Sequence, residues 1–387
     1  MTRDPVYLVA ILCVLIVGAE WLARRPGFRH LGSALLVILL GALVANLGVL
    51  PAGSPPDAPV PTYDVIFSHV AAIGLFWLLL HVNLRSLLKV GLPMVGLFLV
   101  GSAGTFAGAI LAMRAIDGAA LIGPLAGPVA GMFVGTYTGG GINFNAIALH
   151  YGVVREGGLF AGATVVDNIV TTIWIVVTLA VPRLFGFAWR RRVTGAVTAA
   201  AGPIVVLDAE IETVDPMKIA IVLALGAGAL WTSMQLSAWL GGVGVGVPMI
   251  LIITTIALVL AQVPAVNRLP GARVLGMWAV YLFLAVVGVF CDLRAMGGLG
   301  MLGLALLGFA LMLVLFHGAV IFAVAWLAGL DLDGAAVASQ ANVGGSTSAL
   351  ALAKSLGRED LLLPAILLGA LGNAIGTFLG FLAVTMI

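Results

Sequence analysis

Ten long apolar runs constrain this chain more than any other feature of its sequence. Each is long enough, at roughly 18 residues or more, for an α-helix to cross the hydrocarbon core of a bilayer. Only 9% of the 387 residues are charged, whereas a soluble domain carries roughly 25% charged residues. We therefore predict an all-α polytopic membrane protein rather than a soluble globular domain. The runs lie at 6–23, 32–50, 64–82, 91–113, 159–181, 217–239, 241–262, 274–291, 300–328 and 361–386.

Two further stretches, 125–152 and 334–357, are apolar overall but are crowded with Gly, Ser, Thr and Asn. Three consecutive glycines, Gly139 to Gly141, cost about 1 kcal/mol each relative to alanine in a helix. Irregular backbone survives at membrane depth only when it is buried in protein or lines a wet cavity. Each stretch is therefore predicted to be a re-entrant or broken helix with a buried polar tip.

The two halves of the chain repeat each other. A shift of 205 positions superimposes Gly139-Gly140 on Gly344-Gly345 and Asn168 on Asn373. Internal repeats of this kind are typical of secondary transporters. The predicted division is a first repeat at 1–181, a cytoplasmic linker at 182–216 and a second repeat at 217–387.

The distribution of basic residues predicts the topology. If both glycine-rich stretches are re-entrant hairpins, each repeat has five spans, and the odd number inverts the second repeat. With the N-terminus outside, 14 of the 18 basic residues are then cytoplasmic, as the positive-inside rule requires. If both stretches were full spans, nine basic residues would lie on each side of the membrane. We therefore predict two inverted repeats, with both termini outside, in the inner (plasma) membrane. Arg24 and Arg25 follow the first run, which argues against a cleaved signal peptide.

Asp167 is the most informative single residue. A carboxylate near the centre of a spanning helix costs on the order of 3 kcal/mol, and such residues usually face a cavity. The alternative is a carboxylate near the helix end that bonds to a neighbouring loop. The equivalent position of the second repeat is Gly372, so the two halves are expected to be functionally unequal.

Both glycine-rich tips offer groups that suit an ion and a small polar solute. Hydroxyl and amide oxygens suit Na⁺, a hard cation, and a helix that restarts at Gly-Gly presents free N–H groups to a carboxylate. The alternative is that these glycines merely permit close helix packing. The predicted ion-binding residues are Asp167 (the Na⁺ ligand), Asn168, Thr171, Thr138, Gln340, Asn342 and Asn373. The predicted solute-binding residues are Thr136, Gly139, Gly140, Asn143, Asn145, Gly344, Gly345, Ser346, Thr347 and Ser348. No cofactor is expected apart from a coupling ion, Na⁺ or H⁺, and an interfacial or packing role is expected for His317.

These motifs resemble those of the DUF819 family of membrane proteins. The matching segments are Tyr137-Thr138-Gly139-Gly140 with Asn143-Phe144, Asp167-Asn168, Ala341 to Gly345 with Thr347-Ser348-Ala349, and the run from Gly369 to Gly380. The family is distantly similar to bile-acid, glutamate and citrate sodium symporters and to cation–proton antiporters. That resemblance implies a scaffold domain, a mobile core domain with crossed broken segments, an elevator motion and a homodimer.

Together these features favour a secondary active transporter, with sodium-coupled symport of a small anionic or zwitterionic solute by an elevator mechanism. A cation–proton antiporter that uses Asp167 is the first alternative. A membrane-embedded enzyme is less favoured because no catalytic group stands out, and a passive channel lacks a ring of charge or a filter repeat. The expected partners are the solute and the lipid bilayer. Nucleic acid is excluded because the basic residues lie in short loops rather than in a patch.

Overall fold

The described part of the protein is helical throughout. The structure is a computed structural model that describes residues 2–28, 32–54, 58–84, 90–189, 215–291 and 300–387. Its main helices are α1 (Pro5–Ala23), α2 (Gly32–Asn46), α3 (Pro61–Leu79), α4 (Leu92–Ala115), α5 (Ala126–Gly139), α6 (Gly141–His150), α7 (Gly157–Trp189), α8 (Pro216–Gly242), α9 (Met249–Leu260), α10 (Ala272–Val289), α11 (Gly300–Leu327), α12 (Leu332–Ser355) and α13 (Leu362–Val384). No strand occurs among these residues, and the prediction of an all-α polytopic membrane protein is confirmed.

The helices agree with most of the predicted spans. Within the described ranges, nine helical segments are long and apolar enough to cross a membrane. One of them, Gly118–Gly139, includes the first arm of the first glycine-rich stretch. Two predicted spans form shorter helices, since α2 has 15 residues and α9 has 12. At 1.5 Å per residue, α9 is only about 18 Å long. It is short because a turn with positive φ at Gly244 follows α8, and α9 begins only after Pro248.

Both glycine-rich stretches are helical hairpins. In the first, α5 and α6 fold back on each other, so that a Cβ on Gly135 would lie 2.8 Å from Cδ1 of Ile147. In the second, α12 breaks at Gly345, and the guanidinium of Arg358 reaches Asp331 at 2.7 Å and Asp333 at 2.9 Å. A continuous helix of 24 residues would separate its ends by about 36 Å. The ion pairs therefore join the outer ends of the two hairpin arms, which we call the feet of the hairpin.

The helices pack in two groups. The flanking group contains α1, α2, α3, α8, α9 and α10, and the hairpin group contains α4 to α7 and α11 to α13. Packing is much more extensive within each group than between them. Each half of the chain supplies three consecutive helices to the flanking group, followed by a helix, a hairpin and a helix to the hairpin group.

Small residues bring the backbones together within each group. In the flanking group, Gly74 of α3 packs against Ala279 of α10. In the hairpin group, Gly131 of α5 packs against the backbone of Gly380 in α13. Such contacts are typical of helix packing in a bilayer, where no hydrophobic force drives helices together and close van der Waals contact must hold them.

Some predicted segments lie outside the described residues. The linker expected at 182–216 is described only at its ends, where α7 continues to Trp189 and α8 begins at Pro216. The sequence also predicts amphipathic connectors at 83–90 and 292–299 that lie at the membrane interface. Most of these residues lie outside the described ranges.

Candidate functional site

The two hairpin tips meet. Gly140 and Gly345 have φ values of 102° and 70°, in the region that favours glycine, and each separates two helical arms. A Cβ on Gly345 would lie 3.5 Å from the carbonyl oxygen of Gly139 and 4.0 Å from the Cα of Gly140. The predicted tips, 205 residues apart in sequence, therefore form one feature.

The tips bring together helix ends of both polarities. The first arm of each hairpin ends there, where its last carbonyl groups lack intrahelical partners, and the second arm begins there with free N–H groups. The helix macrodipoles add partial negative charge at the C-terminal ends of the first arms and partial positive charge at the N-terminal ends of the second arms. A cation and an anion can therefore be bound side by side at this point.

A cavity of about 280 Å³ lies beside the tips. It is lined by Ala34, Thr136, Gly140, Gly141, Phe144, Asn145, Thr164, Asp167, Asn168, Thr171, Leu284, Val343 and Gly344. Ala34 and Leu284 belong to the flanking group and the other residues to the hairpin group, so the cavity lies between the two groups. Asp167 lies ten residues after the start of α7 at Gly157, which is about 15 Å along the helix. This is half the thickness of a bilayer core.

The carboxylate of Asp167 faces this cavity with little support from the protein. The Thr136 hydroxyl donates to its Oδ1 at 3.5 Å, which is a long hydrogen bond. The Tyr137 hydroxyl is fully buried beside Asp167 and Thr171. The carboxylate can therefore accept hydrogen bonds from a bound molecule.

Seven of the predicted site residues line the cavity and the others do not. The seven are Thr136, Gly140, Asn145, Asp167, Asn168, Thr171 and Gly344. Gly139 contacts the backbone of Gly372 and Asn373. Asn143 joins α6 to α13, since its Oδ1 accepts a hydrogen bond from Thr377 at 2.7 Å. It is a packing residue in this structure.

Apart from Gly344, the predicted solute residues of the second tip also lie away from the cavity. Gly345 contacts the first tip, and the backbone of Ser346 packs against Gly369 of α13. Ser348 donates to the carbonyl of Gly345 at 3.2 Å, and Thr347 is exposed.

Three predicted ion ligands, Thr138, Gln340 and Asn342, form a separate buried set that we name the tip cluster. All three side chains are fully buried. The Asn342 amide donates to Ser102 Oγ at 2.9 Å and to the Thr138 carbonyl at 3.5 Å. Because a carbonyl only accepts, this pairing fixes the orientation of the amide and leaves Asn342 Oδ1 without a partner.

The other two side chains of the tip cluster are also incompletely bonded. Thr138 Oγ1 has no hydrogen-bond partner among the described residues. One end of the Gln340 amide is paired with Thr178 Oγ1 at 3.1 Å, and its other end is unpaired. A buried polar atom without a partner costs about 1–3 kcal/mol. Gln340 faces α7, whereas Asn342 contacts the Thr138 carbonyl, so the two unpartnered oxygens of Thr138 and Asn342 indicate a place where something polar binds.

A buried histidine extends this polar interior. His317 accepts at Nε2 from Ser339, whose hydroxyl accepts in turn from Trp174. Its Nδ1 is 2.9 Å from the Gly101 carbonyl, so Nδ1 carries the proton. His317 therefore joins α4, α7, α11 and α12 in its neutral form, in keeping with the packing role expected from the sequence.

Sequence reasoning missed several residues that line the cavity. Thr164 precedes Asp167 by three positions and so shares its helix face, a signal that helical periodicity offered. Ala34 and Leu284 carry no such signal, because only tertiary packing brings the flanking group to this cavity. Among the described residues, no group of three or more His, Cys, Asp or Glu side chains is arranged to hold a metal ion.

Comparison with known proteins gives the family. The chain is 28% identical over 387 residues to the uncharacterized membrane protein YjcL of Bacillus subtilis (strain 168), covering 96% of this chain and 93% of that protein. The model of the family described as a protein of unknown function (DUF819) matches residues 7–387. The chain therefore belongs to the DUF819 family of membrane proteins.

Proposed function

We propose that this protein is a secondary active transporter that carries a small organic solute together with Na⁺. The observation that carries the proposal is the meeting of the two hairpin tips beside a cavity whose described lining has one carboxylate, Asp167, ten residues into a helix long enough to span a bilayer. Irregular backbone and free helix ends at membrane depth require a wet or polar binding site.

The order of the helices supports an inverted repeat. Each half of the chain provides the same series of three flanking helices, a helix, a hairpin and a helix. The repeat mates Gly140 and Gly345 occupy the two tips and contact each other. Transporters built from inverted repeats bind substrate and ion at such an interface, near the bilayer midplane.

The position of the cavity supports alternating access by an elevator motion. Its lining comes from both helix groups, and the contacts between the groups are sparse. In this proposal the flanking group is the fixed scaffold and the hairpin group is the mobile core. Movement of the core along the scaffold would expose the cavity first to one side of the membrane and then to the other.

The tip cluster is the proposed Na⁺ site. Thr138 Oγ1 and Asn342 Oδ1 are buried oxygens without partners, and the first arms of both hairpins direct their carbonyl ends toward this point. A hard cation prefers such oxygen ligands. One Na⁺ that enters across 100 mV gains about 2.3 kcal/mol from the potential alone. Coupling requires that Na⁺ and the solute each raise the affinity for the other.

The test measures the thermal unfolding of the purified protein in equal concentrations of NaCl, KCl and choline chloride. A bound ion that favours the folded state stabilises it by about 1.4 kcal/mol at ten times its Kd. We expect a higher Tm in Na⁺ than in K⁺ or choline. Equal Tm values in the three salts across the whole concentration range would reject sodium coupling.

Two matched threonine variants locate the ion. Thr138→Val removes an unpartnered hydroxyl, so it should leave the basal Tm nearly unchanged and abolish the Na⁺ increment. Thr254→Val is the control, since Thr254 is equally buried but donates only to Ile250 of its own helix in the flanking group. The control should keep the full Na⁺ increment. Loss of the increment in both variants, or in neither, would remove the tip cluster as the ion site.

A further inference from the structure

The charge of the cavity restricts the solute. Among the described residues that line it, Asp167 is the one ionisable side chain, and Lys, Arg and His are absent. A molecule with two or more carboxylates would find no guanidinium or ammonium partner there. It would also bring like charge close to Asp167, which disfavours binding in a site of low dielectric.

Asp167 has no positively charged partner among the described residues. The carboxylate has no ion pair among the described residues, and the hydrogen bond that it accepts from Thr136 is long. The proposed Na⁺ site is in the tip cluster, whose three side chains do not line this cavity. When Asp167 is ionised, its positive partner can therefore come from the solute.

The same cavity offers a place for one carboxylate. Gly140 and Gly141 line it at the start of α6, a helix of ten residues whose first turn has no side-chain cap. The backbone N–H of Asn143 donates to the Gly140 carbonyl at 3.1 Å. The backbone N–H groups of Gly141 and Ile142 precede this first hydrogen bond of the helix and are free. A Cβ on Gly141 would meet nothing within 4 Å, so a ligand can approach this backbone closely.

The second observation beside this helix start is the Asp167 carboxylate. It lines the same cavity, and the hydrogen bond that it accepts from Thr136 is long, at 3.5 Å. A ligand at the start of α6 would therefore meet a weakly supported carboxylate in the same cavity.

We propose that the solute is a zwitterion of amino-acid type, with its ammonium group on Asp167 and its carboxylate on the N–H groups of Gly141 and Ile142. This inference rests on the proposed transport function and narrows its solute class. The remaining lining is apolar at Ala34, Phe144, Leu284 and Val343, which suits an uncharged side chain. A cavity of about 280 Å³ is at the small end of ligand pockets and fits a metabolite.

The experiment compares ligands on the wild-type protein in NaCl. The first probes are the twenty common α-amino acids. Each amino acid that stabilises the protein is then compared with three analogues: the 2-hydroxy acid, which lacks the ammonium group; the amine, which lacks the carboxylate; and a dicarboxylate of equal length. We expect one or more amino acids to raise the Tm, and each analogue to bind at least about tenfold more weakly, since it lacks one charge-assisted hydrogen bond. A hydroxy acid or dicarboxylate that binds within about twofold of the amino acid, or a panel without any stabilising amino acid, would overturn the inference.

Variants separate this inference from the proposed function. Asp167→Asn should weaken amino-acid binding at least about tenfold and keep the Na⁺ increment measured without solute. Asp4→Asn is the control, because Asp4 is an exposed cap of α1 and asparagine caps equally well. Loss of the Na⁺ increment in Asp167→Asn would put the ion on Asp167 and overturn the zwitterion assignment, whereas sodium coupling would stand. If Asp167→Asn does not fold, the comparison of ligands on the wild-type protein tests the zwitterion assignment by itself.

Discussion

The helices that follow the two hairpins, α7 and α13, differ at one repeat position. Asp167 of α7 faces a cavity of about 280 Å³. Its mate in α13 is Gly372, where a Cβ would collide with the Thr138 carbonyl oxygen and lie 2.5 Å from the Cα of Gly139. The first hairpin is thus bounded on one side by open space and on the other by another backbone.

This difference teaches why a repeated chain has an unequal site. A hairpin tip that interrupts its own helix needs a firm support, and the glycine contact with α13 supplies it. The same close contact leaves no room for a ligand on that side. The cavity therefore lies on the α7 side, where Asp167 lines it, whereas the corresponding residue of α13 is Gly372.

The largest expected effect comes from Gly372→Ala, which would break the closed side of this comparison. The added methyl group would meet backbone atoms that cannot rotate away, so the tip must shift. We expect the free energy of unfolding to fall by more than about 3 kcal/mol. The measurement is the Tm and the monodisperse fraction of the purified protein.

The matched control for this variant is Gly308→Ala in α11. A Cβ at Gly308 would have nothing within 4 Å, and alanine favours the helix by up to about 1 kcal/mol over glycine. The control should be neutral or slightly stabilising. Similar losses in both variants would show that the contact of α13 with the tip is not special.

Sequence reasoning predicted much of this architecture because bilayer physics is restrictive. The length of the apolar runs predicts the helices, and the Gly-Gly pairs flanked by polar residues predict the two helix breaks. The repeat shift of 205 paired the tips that meet. Two predicted spans are shorter helices, since apolar composition alone does not reveal that α9 starts only after Pro248.

The composition of the site was less predictable. Residue type identified Asp167, Asn145 and Thr136 as cavity residues. It could not separate them from Asn143, whose amide is equally polar but bonds to Thr377 of α13. Which face of a helix meets a neighbour and which meets a cavity is decided by tertiary packing, and a single sequence does not contain that information in readable form.

The feet of the two hairpins extend the comparison. The second hairpin is closed on itself, because Arg358 pairs with Asp331, Asp333 and Asp360. We expect Arg358→Met to lower the free energy of unfolding by about 2 kcal/mol, since it leaves three neighbouring carboxylates without their shared cation. The measurement is the Tm at low and high salt.

Lys354→Met is the control for the closed foot. Lys354 is an exposed basic residue in the last turn of α12, four positions before Arg358, so its loss should change the Tm little. An equal effect of the two substitutions would indicate a general charge effect on this surface rather than a clasp between the hairpin feet.

The first hairpin is instead tied to the flanking group, and Asp64→Asn would give the smallest effect. Arg155, which follows α6, pairs with Asp64 of α3 at 3.3 Å, and both side chains are exposed. An exposed pair contributes about 0–1 kcal/mol, so the Tm should hardly move. If the two groups move against each other, removing the pair shifts their balance and changes the apparent solute affinity by up to about fivefold, with the effect fading at high salt. Asp4→Asn again serves as the control with unchanged affinity. A drop in Tm as large as that of Arg358→Met would mean that the Arg155–Asp64 pair stabilises the fold. The foot of the first hairpin would then be held as firmly as the foot of the second.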